Sequence, residues 1–162
     1  MVLRQFKGIL SADGSIGFIL TRFSDLIWKM AQKLITLIED DPNMAYLLKF
    51  MLEREGYEVV LSLDGMIAKD FFLKDKACDL IILDLMLPYV DGFELLQIIR
   101  ATPKFMNKPV IVLTAKEQEA DVLRAFMLGC DDYVKKPFSP GELIARVNRL
   151  MAKLNTSTIV PS

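Results

Sequence analysis

The chain has 162 residues, with 20 basic and 21 acidic side chains and a formal charge of −1. That length supports one domain with a real core, and so balanced a charge leaves no electrostatic footprint for nucleic acid or an anionic membrane. Histidine is absent, which excludes histidine-based triads, His-ligated metals and phosphohistidine carriage; the two cysteines, Cys78 and Cys130, form neither a disulfide framework nor a zinc cluster and suit a reducing cytoplasm.

In chain order, GFILTRFSDLIWKM (17 to 30) is apolar but interrupted by Arg22, Asp25 and Lys29, so it is too short and too charged to span a bilayer. No small-residue cleavage site follows a basic start, as a signal peptide requires. Ser24 would cap a helix carrying Leu26, Ile27 and Met30. Equally, Met30 precedes a clean domain start, and residues 1 to 29 then read as a non-native extension; both readings stay open. LITLI (34 to 38) is the run that a strand covered on both faces requires. Asp41-Pro42 reads as an N-cap with proline at the first helical position. The helix after it places Leu47, Leu48, Met51 and Leu52 on one side and stops at Gly56.

YEVVL (57 to 61) is a second strand, and 64 to 74 a second helix with Ile67, Ala68, Phe71 and Phe72 inward as core. DLIILD (79 to 84) is a third strand, followed by a loop set by Pro88 and Gly92 and a helix over FELLQIIR. KPVIVLT (108 to 114) is a fourth strand, 117 to 128 a helix ending at Gly129, and DYVKK a short fifth strand with Lys135 facing solvent. Ser139-Pro140 opens a last helix in which Leu143, Ile144, Val147, Leu150, Met151 and Leu154 share a face. Residues 155 to 162 read as a tail. The organisation expected is therefore an extension over 1–32, a domain over 33–154 and a tail.

Five strands alternating with five helices predict an α/β fold, a doubly wound five-stranded parallel sheet with helices on both faces. Ligands in such sheets bind beyond the carboxyl ends of the strands. Glu39 and Asp40 follow the first strand, Asp84 ends the third, Thr114 ends the fourth and Lys136 follows the fifth. Each has an ordinary reading alone: a solvated strand end, a turn residue, strand propensity, surface charge. Their convergence on one edge is what marks a site. Three carboxylates from two adjacent strands are hard oxygen ligands suited to Mg²⁺. A carboxylate nucleophile with a metal, a hydroxyl and an ammonium can accept a phosphoryl group.

ITLIEDDP, LIILDLMLPYVDG, VIVLTA and GCDDYVKKPF, in this order and spacing, resemble the receiver domain of two-component response regulators, over about Lys33 to Lys153. The resemblance implies a flavodoxin-like strand order 2-1-3-4-5 and phosphorylation of Asp84 by a histidine kinase or phosphotransfer protein. It implies Mg²⁺ (or Mn²⁺) on Asp40, Asp84 and the Met86 carbonyl, with Glu39 acting mostly through water. Thr114 and Lys136 are then the phosphoryl partners, with Lys136-Pro137 as the family's cis peptide. Tyr133 is the aromatic that turns inward on activation, and Met86 and Lys116 sit where the family tunes phosphoryl lifetime. Such a domain catalyses its own phosphorylation and dephosphorylation without being a conventional enzyme.

SPGELIARVNRLM resembles the receiver end of regulators carrying a winged-helix DNA-binding domain, which dimerise through the fourth helix, fifth strand and fifth helix. That pattern implies cross-dimer pairs of Asp132 with Arg146 and Asp131 with Lys153; the third partner, Glu142, would face Val122 instead of a basic residue. The chain is expected to act either as a stand-alone receiver or as the receiver of a longer transcriptional regulator, without itself binding nucleic acid or membrane. An alternative reading is a receiver-like interaction module that signals without phosphorylation. A flavodoxin-type nucleotide binder would need a phosphate loop where this chain has carboxylates.

Overall fold

The structure, a computed structural model, describes residues 32–74, 77–115 and 118–156. The expectations for the segment around Ser24, for residues 157–162 and for Lys116 fall outside these residues. From Lys33 onward the chain forms a compact unit of its own. Its elements are β1 (Leu34–Ile38), α1 (Pro42–Arg54), β2 (Glu58–Ser62), α2 (Gly65–Leu73), β3 (Leu80–Asp84), α3 (Gly92–Ala101), β4 (Val110–Thr114), α4 (Glu119–Met127), β5 (Asp132–Lys135) and α5 (Pro140–Thr156). The strands pair in the order β2-β1-β3-β4-β5, every pair parallel. This is the doubly wound sheet that the alternation of strand and helix patterns predicts.

The central strands β3 and β4 are buried at every position, which explains their unbroken apolar sequences. Successive side chains on a strand point to opposite faces, so β3 feeds two cores. Ile81 and Leu83 pack with Phe71, Phe72, Phe93, Leu96 and Phe105 on one face. Leu80 and Ile82 pack with Leu48, Leu52, Leu143, Val147 and Leu150 on the other. Phe72 meets Phe71 and Phe105 edge-on, with ring centroids 5.4 and 5.1 Å away, so the pair of phenylalanines is core.

Two inward assignments are corrected. Leu47 and Ile67 are exposed, because α1 turns Ala45, Leu48 and Leu52 to the sheet and α2 turns Gly65, Ala68, Phe71 and Phe72. Each helical residue rotates by 100°, and these two lie just past the edge of the buried stripe. Element ends also shift: β2 starts at Glu58, and α5 continues through Thr156, two residues beyond the predicted end at 154. Asp41 caps α1 as expected, its Oδ1 accepting from the Asn43 and Met44 amides at 2.9 and 3.4 Å. Gly56 and Gly129 follow their helices with φ of +92° and +94°, the left-handed geometry in which a helix stops most cheaply at glycine.

At the edge opposite the strand C-termini, one side chain ties the entries of β4 and β5. Arg100, from α3, donates to the carbonyls of Phe105 (3.3 Å), Met106 (3.2 Å), Lys108 (2.8 Å) and Gly129 (2.9 and 2.6 Å). It also pairs with Asp131 at 2.9 Å, whose same oxygen accepts from the Val110 amide at 2.8 Å. The guanidinium thus staples the entries of β4 and β5 to α3. Replacing Arg100 with Met strands several half-buried carbonyls and a carboxylate. The expected cost is roughly 2–4 kcal/mol, measured by urea unfolding; an unchanged midpoint would rule out a structural role for the staple.

Candidate functional site

The carboxyl ends of β1 and β3 and the segment after β5 bring the predicted residues together. Glu39 and Asp84 are buried at the ends of their strands, and Asp40 is exposed beside them. One carboxylate oxygen from each of Glu39, Asp40 and Asp84 lies within 4.8 Å of the others. Lys136 reaches into this group: its Nζ donates to Asp84 Oδ2 at 2.6 Å and to Glu39 Oε1 and Oε2 at 2.8 and 2.6 Å. Its backbone is anchored by an amide hydrogen bond to the Thr114 carbonyl at 2.9 Å, and the Lys136-Pro137 bond is cis. Asp84 Oδ1 accepts from the Met86 amide at 2.8 Å, so both oxygens of this carboxylate are held.

Why Asp84 sits where it does follows from local packing. Gly92, the first residue of α3, lies against the backbone just after β3. A Cβ there would fall 2.4 Å from Leu85 Cα and 2.5 Å from the Asp84 carbonyl oxygen. Its amide donates to the Leu85 carbonyl at 3.2 Å. The Leu85–Asp91 loop is thereby folded back over the strand end. Together with Asp40, this loop lines a cleft through Leu85, Met86, Leu87, Pro88, Tyr89 and Asp91.

Charge at the site is unbalanced among the described residues. There, three carboxylates face one ammonium, which leaves two negative charges in excess when all are ionised. Burial raises the Glu39 carboxyl above its usual range, against the opposing pull of Lys136. For Lys136, burial disfavours the charged form, but hydrogen bonds to Asp84 and Glu39 outweigh it and hold the ammonium above its ordinary value. The two directions agree: a carboxylate cluster with one cation draws in positive charge, whether a proton or a metal ion. Mg²⁺ takes oxygen ligands at ~2.0–2.1 Å, which spans ~4.2 Å across an octahedron and leaves room for water. The cluster fits after a small contraction, and Asp40 supplies the open, solvated side. The Asp41 carboxylate is spent on the helix cap, and its backbone amide hydrogen-bonds to Glu39.

Thr114 ends β4 fully buried, one residue beyond the Asp84–Leu113 register pair. Tyr133 lies half-buried on β5 with its ring 6.4 Å from that of Phe126. The residues expected on a dimer face lie in contacts within the chain. Asp132 is held by Arg146 at 2.8 Å and Arg149 at 2.7 Å, Arg146 also pairs with Glu142 at 2.8 Å, and Asp131 belongs to the Arg100 staple. Both cysteines are buried, and burial pushes Cys78 up to about 11 and Cys130 up to about 12, which leaves them as unreactive thiols.

A family model described as the response regulator receiver domain matches residues 35–148. The chain belongs to the response regulator receiver family. Among curated relatives, the regulatory protein VanRc of Enterococcus gallinarum is 42% identical over 136 residues, covering 82% of this chain and 57% of the relative. The phosphate regulon transcriptional regulatory protein PhoB of Rhizobium meliloti is 42% identical over 119 residues, 74% of this chain and 52% of the relative. The chain thus spans little more than half the length of these two regulators. Of solved structures, a Francisella response regulator receiver domain is 34% identical with a TM-score of 0.70, over 76% of this chain and 99% of that one. The receiver domain of a sensor histidine kinase from Pseudomonas aeruginosa, solved with magnesium in its active-site cleft, is 33% identical with a TM-score of 0.68, over 75% of this chain and 99% of that one.

This receiver domain is therefore a component of two-component signalling, and its acidic cluster occupies the end of the sheet where doubly wound folds bind ligands. Among the described residues, no helix is long and apolar enough to cross a membrane. Tyr89 at the cleft, Arg149 on α5 and Arg100 at the opposite edge of the sheet escape sequence reading. For Arg149 the signal was its i, i+3 spacing from Arg146, which places both on the side of α5 facing Asp132.

Lys136→Gln removes the one ammonium from the cluster. The variant is expected to lose about 3 kcal/mol of stability without divalent cation and to gain more in melting temperature from millimolar Mg²⁺ than the wild type. Equal Mg²⁺-induced shifts in the two proteins would show that the lysine does not neutralise the cluster.

Proposed function

We propose that this receiver accepts a phosphoryl group on Asp84 with Mg²⁺ (or Mn²⁺) and thereby switches an output. The observation that carries the reading is the contact of Lys136 with both Asp84 and Glu39, at the edge where Asp40 completes the acidic cluster. Asp40, Asp84 and the Met86 carbonyl would hold the metal. Glu39 would act through water, in keeping with the engagement of both its oxygens by Lys136. When bound, the metal supplies charge stabilisation to the equatorial oxygens of the transferring group. The Asp84 oxygen would form its bond to phosphorus as the donor's bond to phosphorus breaks, the donor leaving with that electron pair; Lys136 would exchange its carboxylate contact for a phosphoryl oxygen as a compact point charge; Thr114, at the adjacent strand end, would donate its hydroxyl. Little other machinery is required, since this transfer is mainly positioning and electrostatics.

A two-state coupling then passes through Thr114 and Tyr133, with a bias of ~1–3 kcal/mol enough to shift populations substantially. The partners are a histidine kinase or phosphotransfer protein, and residues 33–154 act as the receiver unit in the cytoplasm. A phosphorylation-dependent homodimer through α4, β5 and α5 is supported by exposed Leu123, Phe126 and Met127 beside the Asp132, Glu142 and Arg146 cluster. Because those ions are already paired within the chain, a dimer must exchange pairs rather than add them. Asp131 and Lys153 would follow the same exchange, and the net electrostatic gain is close to zero.

Intact mass after incubation with acetyl phosphate tests the reading. One phosphoryl group is expected in the wild type with Mg²⁺, and none without Mg²⁺ or in Asp84→Asn. A folded wild type that binds Mg²⁺ yet gains no mass would favour the phosphorylation-independent module. For the dimer, sedimentation velocity of the phosphorylated protein should show an increase in mass that Phe126→Arg abolishes; phosphorylated wild type that stays monomeric would dismiss that surface.

A further inference from the structure

Tyr89 adopts φ +69°, a left-handed conformation that a bulky aromatic residue rarely takes and that strains the backbone. Its side chain repays nothing by burial, since the residue is 84% exposed. It lines the same cleft as Asp40, Met86 and Asp91. A strained, exposed aromatic at the mouth of a reactive cleft points to a contact with something that enters it. Met86 is exposed beside it, and Leu87 and Pro88 continue the wall. The mouth therefore combines an apolar and aromatic lip with the carboxylates of Asp40 and Asp91. That combination suits a flat, apolar-edged cation.

We propose that Tyr89 is a specificity-determining residue that receives the imidazole ring of a phosphohistidine donor on its face. The proposal rests on Asp84 being the phosphoacceptor. A phosphorylated imidazole is a good leaving group only with its second ring nitrogen protonated. In the transfer, the Asp84 oxygen forms the O–P bond as the N–P bond breaks, and that electron pair stays on nitrogen, so the ring leaves as neutral imidazole. The tyrosine face and the nearby Asp91 carboxylate favour the protonated ring by cation–π and Coulomb attraction. Acetate, as a leaving group, has neither a ring nor a positive charge to offer them.

The test compares rate constants for phosphorylation of the full chain by N-phosphoimidazole and by acetyl phosphate at fixed Mg²⁺, followed by intact mass. The variants are Tyr89→Gly, Tyr89→Asn and Tyr89→Phe. Glycine and asparagine tolerate the left-handed conformation, so loss of fold does not obscure the result, and the quotient of the two rates cancels any general loss of reactivity. The phosphoimidazole-to-acetyl-phosphate quotient should fall about 2- to 5-fold in the Gly and Asn variants, as removal of an exposed cation–π contact implies. It should stay at the wild-type value in Tyr89→Phe, which keeps the ring. An unchanged quotient in all three variants, or an equal fall in Tyr89→Phe, overturns the proposal. A wild type modified by neither donor overturns the phosphoacceptor reading itself, and this inference with it.

Discussion

Among the described residues, three carboxylates sharing one ammonium at the rim of a buried sheet is the constraint on which the rest of the structure depends. A doubly wound sheet buries its central strands on both faces, so any polar group at the end of β3 emerges from an apolar environment. Asp84 does so with its two oxygens held by Lys136 and the Met86 amide. Glu39, more deeply buried, is held by the same lysine. Taking such charges out of water is costly unless they are paired and hydrogen-bonded. Here the pairing is incomplete, and the deficit favours a cation at this place.

Most of the remaining architecture serves to keep that deficit in place. The parallel register carries β1 and β3 to a common edge, and the backbone contact at Gly92 folds the Leu85–Asp91 loop back over the end of β3. Thr114 and Lys136 are joined through the backbone, which couples the end of β4 to the lysine's segment. At the opposite edge the Arg100 staple holds the entries of the same two strands. The acidic cluster thus sits at one end of the sheet and the rigid fastening at the other. Under the proposed function, that division would let a change in charge at Asp84 act on β4 and β5 without loosening the fold.

Much of this was legible in the residues. The apolar runs at 34–38, 80–84 and 110–114 read as doubly covered strands because a continuous β-branched and Leu sequence has no other economical use between turn signals. Asp41-Pro42, Gly56 and Gly129 marked helix ends through cap chemistry that is local in sequence. The acidic cluster was legible for a different reason: topology sends every strand's carboxyl end to one edge, so position along each strand is enough to predict convergence. What sequence could not supply was rotational phase within a turn of helix, and so Leu47 and Ile67 were placed inward. Nor could it foresee Arg100, whose partners are backbone carbonyls with no residue-type signature. The pairing of Asp132 with Arg146 and Arg149 inside one chain escaped for a related reason. A pattern of opposite charges specifies who can pair, while only the coordinates tell whether the partner is in the same molecule.

The most direct test of the charge-deficit argument is calorimetric titration of Mg²⁺ into the unphosphorylated protein, alongside Asp40→Asn. Asp40 is exposed and contributes little to the core, so its replacement changes the charge of the cluster without disturbing the fold. One site per chain, with affinity at least tenfold weaker in the variant, is the predicted result. Wild-type binding that is absent, or that Asp40→Asn leaves unchanged, would contradict the claim that these carboxylates are arranged around a cation.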